Sequence, residues 1–120
     1  MRPEVTARLK QLETTLTTIE KVMDPEALAA RIRELEAQAG DPSLWDDPAH
    51  AQQITSELSA AQAKVRKLES LRGRLEDMPV MYELAEEEGD TSLADDELDS
   101  LESAIESLEV TTMLSGEYDP

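Results

Sequence analysis

From Val5 to Met23 the apolar positions return every three or four residues: Val5, Leu9, Leu12, Leu16, Ile19 and Met23. That rhythm collects them on one face and predicts an amphipathic helix over Pro3–Met23. The threonine pairs at 14–15 and 17–18 are weak helix formers, so packing must supply much of its stability. Asp24-Pro25 then reads as a cap followed by the first residue of a second helix, where no N–H donor is needed. Leu28, Ile32, Leu35 and Ala39 share one face of that helix, and Gly40 supplies its stop. With almost no loop between them, the first two helices make a tight bend or hairpin, or else one long helix kinked at the proline.

The longest pattern covers residues 47–88 and again opens on an Asp-Pro pair. Ile54, Leu58, Ala61, Val65 and Leu68 lead into Leu71, Leu75 and Met78 as one continuous seam. At about 1.5 Å per residue such a helix reaches roughly 60 Å, more than a small core can cover, so other segments must lie along it. Pro79 removes an N–H and crowds the carbonyl of Leu75, so a kink or brief break is expected near Met78, with Val80, Met81, Leu84 and Ala85 resuming the apolar face. Gly89-Asp90 closes this arm. Thr91 or Ser92 caps a last helix with the seam Leu98, Leu101, Ile105 and Leu108, and Asp95, Asp96 and Glu97 sit near its positive N-terminal end. The period fails over 115–120. The pattern therefore predicts an all-α fold: an elongated, largely antiparallel bundle of three to four amphipathic helices with coiled-coil-like Leu/Ala seams. It occupies 1–114, followed by an exit segment, 115–120, toward a further domain.

Composition agrees with helix-on-helix packing. There is no Phe, one Trp and two Tyr, so the core must be built from Leu, Ile, Val, Met and Ala. The absence of Cys excludes disulfides and thiolate chemistry. No apolar run approaches bilayer length, and the start lacks the apolar stretch of a signal peptide, so a soluble, cytoplasmic protein without membrane contact is expected. The single Trp lies in the turn 41–48, between two Asp-Pro pairs. Trp45 is expected to anchor that turn onto the bundle, the other reading being an aromatic exposed for a partner.

Charge divides the chain. Twelve acids face eleven bases up to Leu75, leaving −1, whereas sixteen acids and no base follow from Glu76 on, leaving −16 of the total −17. Such an arm repels phosphate, so direct nucleic-acid binding through it is not expected. It is either a solvated, solubilising face or a docking surface for a basic partner.

Candidate chemistry is sparse. His50 is the only histidine, near Asp46 and Asp47, but carboxylates at a helix start serve as caps, and no metal site is expected from the three. Serine nucleophiles would need a base, and there is no second candidate for a triad; the acid pairs lie on exposed helix faces without apolar surroundings to raise a pKa. The glycines are scattered stops rather than a phosphate loop, and Glu86-Glu87-Glu88 lacks the alternation of a calcium loop. Lys64, Arg66, Lys67, Arg72 and Arg74 form the one basic cluster, expected to pair with Glu69, Glu76 and acids of a neighbouring helix rather than with RNA. No catalytic residue, cofactor or metal is assigned, and the chain by itself is not read as an enzyme.

Two motifs carry the reading further. Asp41-Pro42-Ser43-Leu44-Trp45-Asp46-Asp47-Pro48, continued by Ala51-Gln52, resembles the loop of the N-terminal domain in bacterial class I peptide chain release factors that read UGA and UAA. Met113-Leu114-Ser115-Gly116-Glu117-Tyr118-Asp119 is similar to the segment where that domain hands over to the next, although the family often has Phe at the place of Leu114. The resemblance implies a helical domain near the stalk base of the large ribosomal subunit, against a basic ribosomal protein. It also implies a full protein that reads the stop codon through a Ser-Pro-Phe loop and promotes peptidyl-tRNA hydrolysis through a Gly-Gly-Gln loop. Neither loop occurs in this sequence, so no codon-reading or hydrolytic residue is carried over. The acidic arm then becomes the expected docking surface of a monomer, with Glu86, Glu87, Glu88, Asp95, Asp96 and Glu97 as candidates. A free-standing acidic adaptor that dimerises through an exposed seam is the competing reading.

Overall fold

Three Asp-Pro pairs punctuate residues 1–114, and each starts a helix. The computed structural model describes residues 1–114; the expected exit segment, 115–120, lies outside the described residues. Among those described, α1 is Pro3–Met23, α2 Pro25–Ala39, α3 Pro48–Glu88 and α4 Ser92–Leu114, with a short 3-10 helix at Pro42–Asp46. The aspartate side chains accept from first-turn N–H groups: Asp24 from Ala27 at 3.1 Å, Asp41 from Ser43 at 2.9 Å and Asp47 from His50 at 3.2 Å. Each satisfies a donor that the helix itself leaves open. The fold is all-α, as the seams predict.

Asp24 settles the choice between a kinked helix and a true interruption. It lies in the left-handed region, φ 53° and ψ 79°, so helical geometry stops at Met23 and restarts at Pro25. A residue before proline is pushed away from the helical region, which makes this the natural place to break.

The chain forms two compact units, and α3 runs through both. The unit Asp24–Leu68 is a helical hairpin of α2 and the first part of α3. Arg31 donates to Glu57 at 2.9 Å across it, and Leu35, Leu44, Ala51 and Ile54 form its core with Ala39 and Leu58 at the margin. Here one expectation fails. Trp45 does not anchor the turn; it is 60% exposed, and Leu44 fills the apolar place at 7%. In a 3-10 helix neighbouring side chains point about 120° apart, so only one of an adjacent pair can face the hairpin core.

The other unit joins Met1–Met23 to the chain from Glu69 onward. All six seam residues of α1 are buried, together with Leu71, Leu75, Met78 and Tyr82 of α3 and Ala94, Leu98, Leu101 and Ile105 of α4. Ion pairs define the directions. The Met1 amine meets Glu86 at 3.0 Å while Arg72 meets Glu13 and Glu20, so α1 and α3 run antiparallel. Arg74 pairs with Glu97 while Tyr82 bonds Asp95, so α3 and α4 are antiparallel as well. Arg2 reaches Asp95 and Arg8 reaches Asp99, which leaves α1 and α4 parallel.

Pro79 does not break α3, which continues unbroken to Glu88. The seam therefore keeps its phase through Met78, Tyr82 and the half-buried Ala85, while Val80 and Leu84, expected on the apolar face, are 57% and 56% exposed. Only a break would have rotated them inward. The helix ends at Gly89, φ 78°, where the N–H of Asp90 reaches back to the Ala85 carbonyl at 3.1 Å, a left-handed stop that glycine adopts without strain.

Candidate docking surface

The acidic arm consists of the end of α3, the Gly89 turn and α4. At the turn, Asp90 accepts from the Ser92 N–H at 2.9 Å and from the Ser92 hydroxyl, and these bonds hold its carboxyl below the usual range. Thr91 supplies the first α4 carbonyl, taken by the Asp95 N–H at 2.8 Å, and its hydroxyl donates to the Asp95 carboxylate at 3.1 Å. The arm thus begins from a well-tied corner.

The six candidate acids separate into two groups. Asp95 accepts from the Tyr82 hydroxyl at 2.7 Å and from Arg2 at 2.6 Å, in addition to Thr91. These bonds, the Tyr82 one foremost, keep Asp95 ionised below the ordinary carboxylate range. Burial and the neighbouring carboxylate in turn push the Tyr82 phenol up to about 12. Glu97 takes a two-pronged contact from Arg74, Nε and Nη2 each at 3.0 Å, and its pKa falls for that reason. Glu86 holds the Met1 amine. All three acids already serve the helix-helix interface.

Glu87, Glu88 and Asp96 differ: they are exposed and have neither hydrogen-bond nor ion-pair partners among the described residues. Their charge is available to a partner at little desolvation cost, as suits electrostatic steering. The structure also absorbs two acids absent from the candidate group. Arg8 donates to Asp99 at 2.8 Å and to Glu102 at 3.3 Å, drawing them toward α1. Of the basic cluster, Arg72 and Arg74 pair across helices with Glu13, Glu20 and Glu97 rather than with Glu69 or Glu76 on their own helix. The pairs Arg2–Asp95, Arg8–Asp99, Arg8–Glu102 and Arg74–Glu97 join residues between 23 and 94 positions apart, so no local spacing rule could have found them.

Asp46, Asp47 and His50 do come together, lining a shallow depression with Gln38, Asp41 and Ser43. Among the described residues no group of three or more His, Cys, Asp or Glu is placed to hold a metal ion, and no helix is long and apolar enough to cross a membrane.

A helical unit that ties part of its acid to its own frame and leaves the rest exposed belongs to the all-α class. The chain matches the PCRF domain model over residues 28–120 and belongs to that family. It is 75% identical over 122 residues to peptide chain release factor 2 of Corynebacterium aurimucosum, covering 99% of this chain and 33% of that protein. The factor of the same name from Corynebacterium diphtheriae is 62% identical over 121 residues, and that of Mycolicibacterium vanbaalenii 54% over 122, each at 99% of this chain and 33% of the relative. The chain spans about a third of the length of the curated relatives it matches.

Proposed function

We propose that this chain is the helical positioning domain of a translation termination factor, one that directs release of the nascent peptide at UGA and UAA. The observation that carries the reading is sequence identity along 99% of the chain to proteins bearing the name peptide chain release factor 2. On this reading the domain docks on the ribosome in the cytoplasm as a monomer, and codon reading and ester hydrolysis belong to the rest of the protein. The partner is a basic protein at the stalk base of the large subunit, met by the arm. Glu87, Glu88 and Asp96 support that choice because they are exposed and unpaired among the described residues, whereas Asp95 and Glu97 are engaged within the unit.

Co-sedimentation of the chain with 70S ribosomes at low salt, and a release assay at a UGA codon, test the proposal. The chain binds ribosomes, releases no peptide and competes with a full-length factor. Changing Glu87, Glu88 and Asp96 to Lys weakens binding at low salt about tenfold and flattens its dependence on salt. Failure to bind or compete would remove the ribosomal reading; binding unaffected by the triple reversal would remove the arm from it. A stable dimer in sedimentation would favour an adaptor instead.

A further inference from the structure

The turn of the Asp24–Leu68 hairpin carries a side chain for which the acidic arm has no use. Trp45 is the chain's only tryptophan and is 60% exposed, although an indole offers one of the largest apolar surfaces a side chain can bury. The turn that presents it is firmly built. Leu44 beside it is buried at 7%, Asp41 accepts from both the backbone N–H and the hydroxyl of Ser43 at 2.9 Å, and the Asp47 N–H donates to the Leu44 carbonyl at 3.2 Å. The exposure is therefore a property of an ordered turn.

Charge identifies what would cover it. The first part of the chain is close to neutral as a whole but not locally: between Arg33 and Lys64 lie Glu34, Glu36, Asp41, Asp46, Asp47 and Glu57, with no Lys or Arg. Asp41, Asp46 and Asp47 line a depression of about 290 Å³, and Trp45 sits in the same turn between two residues of that lining, Leu44 and Asp46. Asp46 has no hydrogen-bond or ion-pair partner among the described residues. An exposed indole followed directly in the chain by Asp46 and Asp47 suits a guanidinium, which can stack on an aromatic ring and donate to carboxylate oxygen. Phosphate is repelled by the same carboxylates, which argues against nucleic acid and anionic lipid. Trp and Arg are also the residues most enriched where interface energy concentrates.

We propose that Trp45 and its flanking aspartates form a docking site for an arginine side chain presented by a basic protein, separate from the acidic arm. The site does not depend on the ribosomal reading, and its test uses no ribosome. Because Trp45 is the sole tryptophan, intrinsic emission reports on this turn alone. The chain is titrated at low salt with a fluorescein-labelled hexa-arginine peptide, following peptide anisotropy, and with the unlabelled peptide, following Trp45 emission. Emission changes saturably, with the same Kd as anisotropy. Trp45→Ala and Asp46→Asn weaken the anisotropy Kd five- to tenfold, Trp45→Tyr restores most of it, and hexa-lysine binds several-fold more weakly. A variant with Glu87→Gln, Glu88→Gln and Asp96→Asn keeps the emission change. Binding with unchanged emission, equal affinity of Trp45→Ala, or no binding would each overturn the proposal. So would quenching by an oligouridine, which would assign the ring to base stacking. Helical circular dichroism confirms that the variants fold.

Discussion

The Tyr82 hydroxyl donates to the Asp95 carboxylate at 2.7 Å, linking the buried face of α3 to the first turn of α4. Tyr82→Phe removes this bond to a charged acceptor and should cost about 1–2 kcal/mol in urea unfolding. The phenol also sets an alkaline limit. Its folded pKa, raised to about 12 from an ordinary 10.0, makes its stabilising contribution complete below pH 10 and lost as pH rises toward 12. Stability of the parent should fall across that window with a component absent from Tyr82→Phe.

Asp95 and Glu97 set the acid limit with the opposite sign. Both are depressed below ordinary values of 3.8 and 4.5, so their contribution is present above those values and lost as pH falls through the folded ones. Asp95→Asn with Glu97→Gln should lower stability at neutral pH and flatten its decline below pH 4, measured by urea midpoints across the series.

Arg72 joins α3 to α1 through Glu13, Glu20 and Thr17, with Glu20 accepting at 2.6 and 3.2 Å. Its side chain is 22% exposed, so solvent screens it only partly. Arg72→Met should cost about 1–2 kcal/mol, because the carboxylates lose a planar, multiply bonded partner. Arg72→Lys should recover less than half of that, since an ammonium cannot copy the fork.

Leu44 and Trp45 should differ sharply despite being neighbours. Leu44→Ala empties a buried position and should cost about 2–3 kcal/mol. Trp45→Ala should shift thermal unfolding little, by roughly 0.5 kcal/mol at most, as an exposed side chain would.

Pro79→Ala should stabilise the chain by about 1–3 kcal/mol. It restores the N–H that the helix lacks and removes the clash at Leu75, within a helix that is already continuous. A loss of stability in thermal melts would overturn this expectation.

The helices were readable because Asp-Pro pairs and seams gave the same boundaries: α1 covers the residues its rhythm predicted, and α2 ends one residue before Gly40. What escaped was phase and partnership. An interruption at Pro79 would put Val80 and Leu84 on the apolar face; the unbroken helix puts Tyr82 there instead, an aromatic outside the aliphatic seam. The turn buries Leu44 rather than Trp45, a choice between adjacent apolar residues that only the phase of the 3-10 helix decides. On the arm, acidity was plain, but which acids remain open was not. Asp95 and Glu97 look no different from Asp96 until Arg2 and Arg74 arrive from elsewhere in the fold.

The unit containing α1 is discontinuous in sequence, with residues 24–68 inserted between its parts. This imposes an order in time. The inserted hairpin closes through near neighbours and can form as soon as it has been made. α1, made before the rest of its unit, has its parallel partner only once α4 is complete, about 5–20 s later at ordinary rates of elongation. Until then Val5, Leu9, Leu12, Leu16, Ile19 and Met23 lack the full cover that buries them in the finished unit. Of the four helices, the first to be made waits longest for the element that completes its cover.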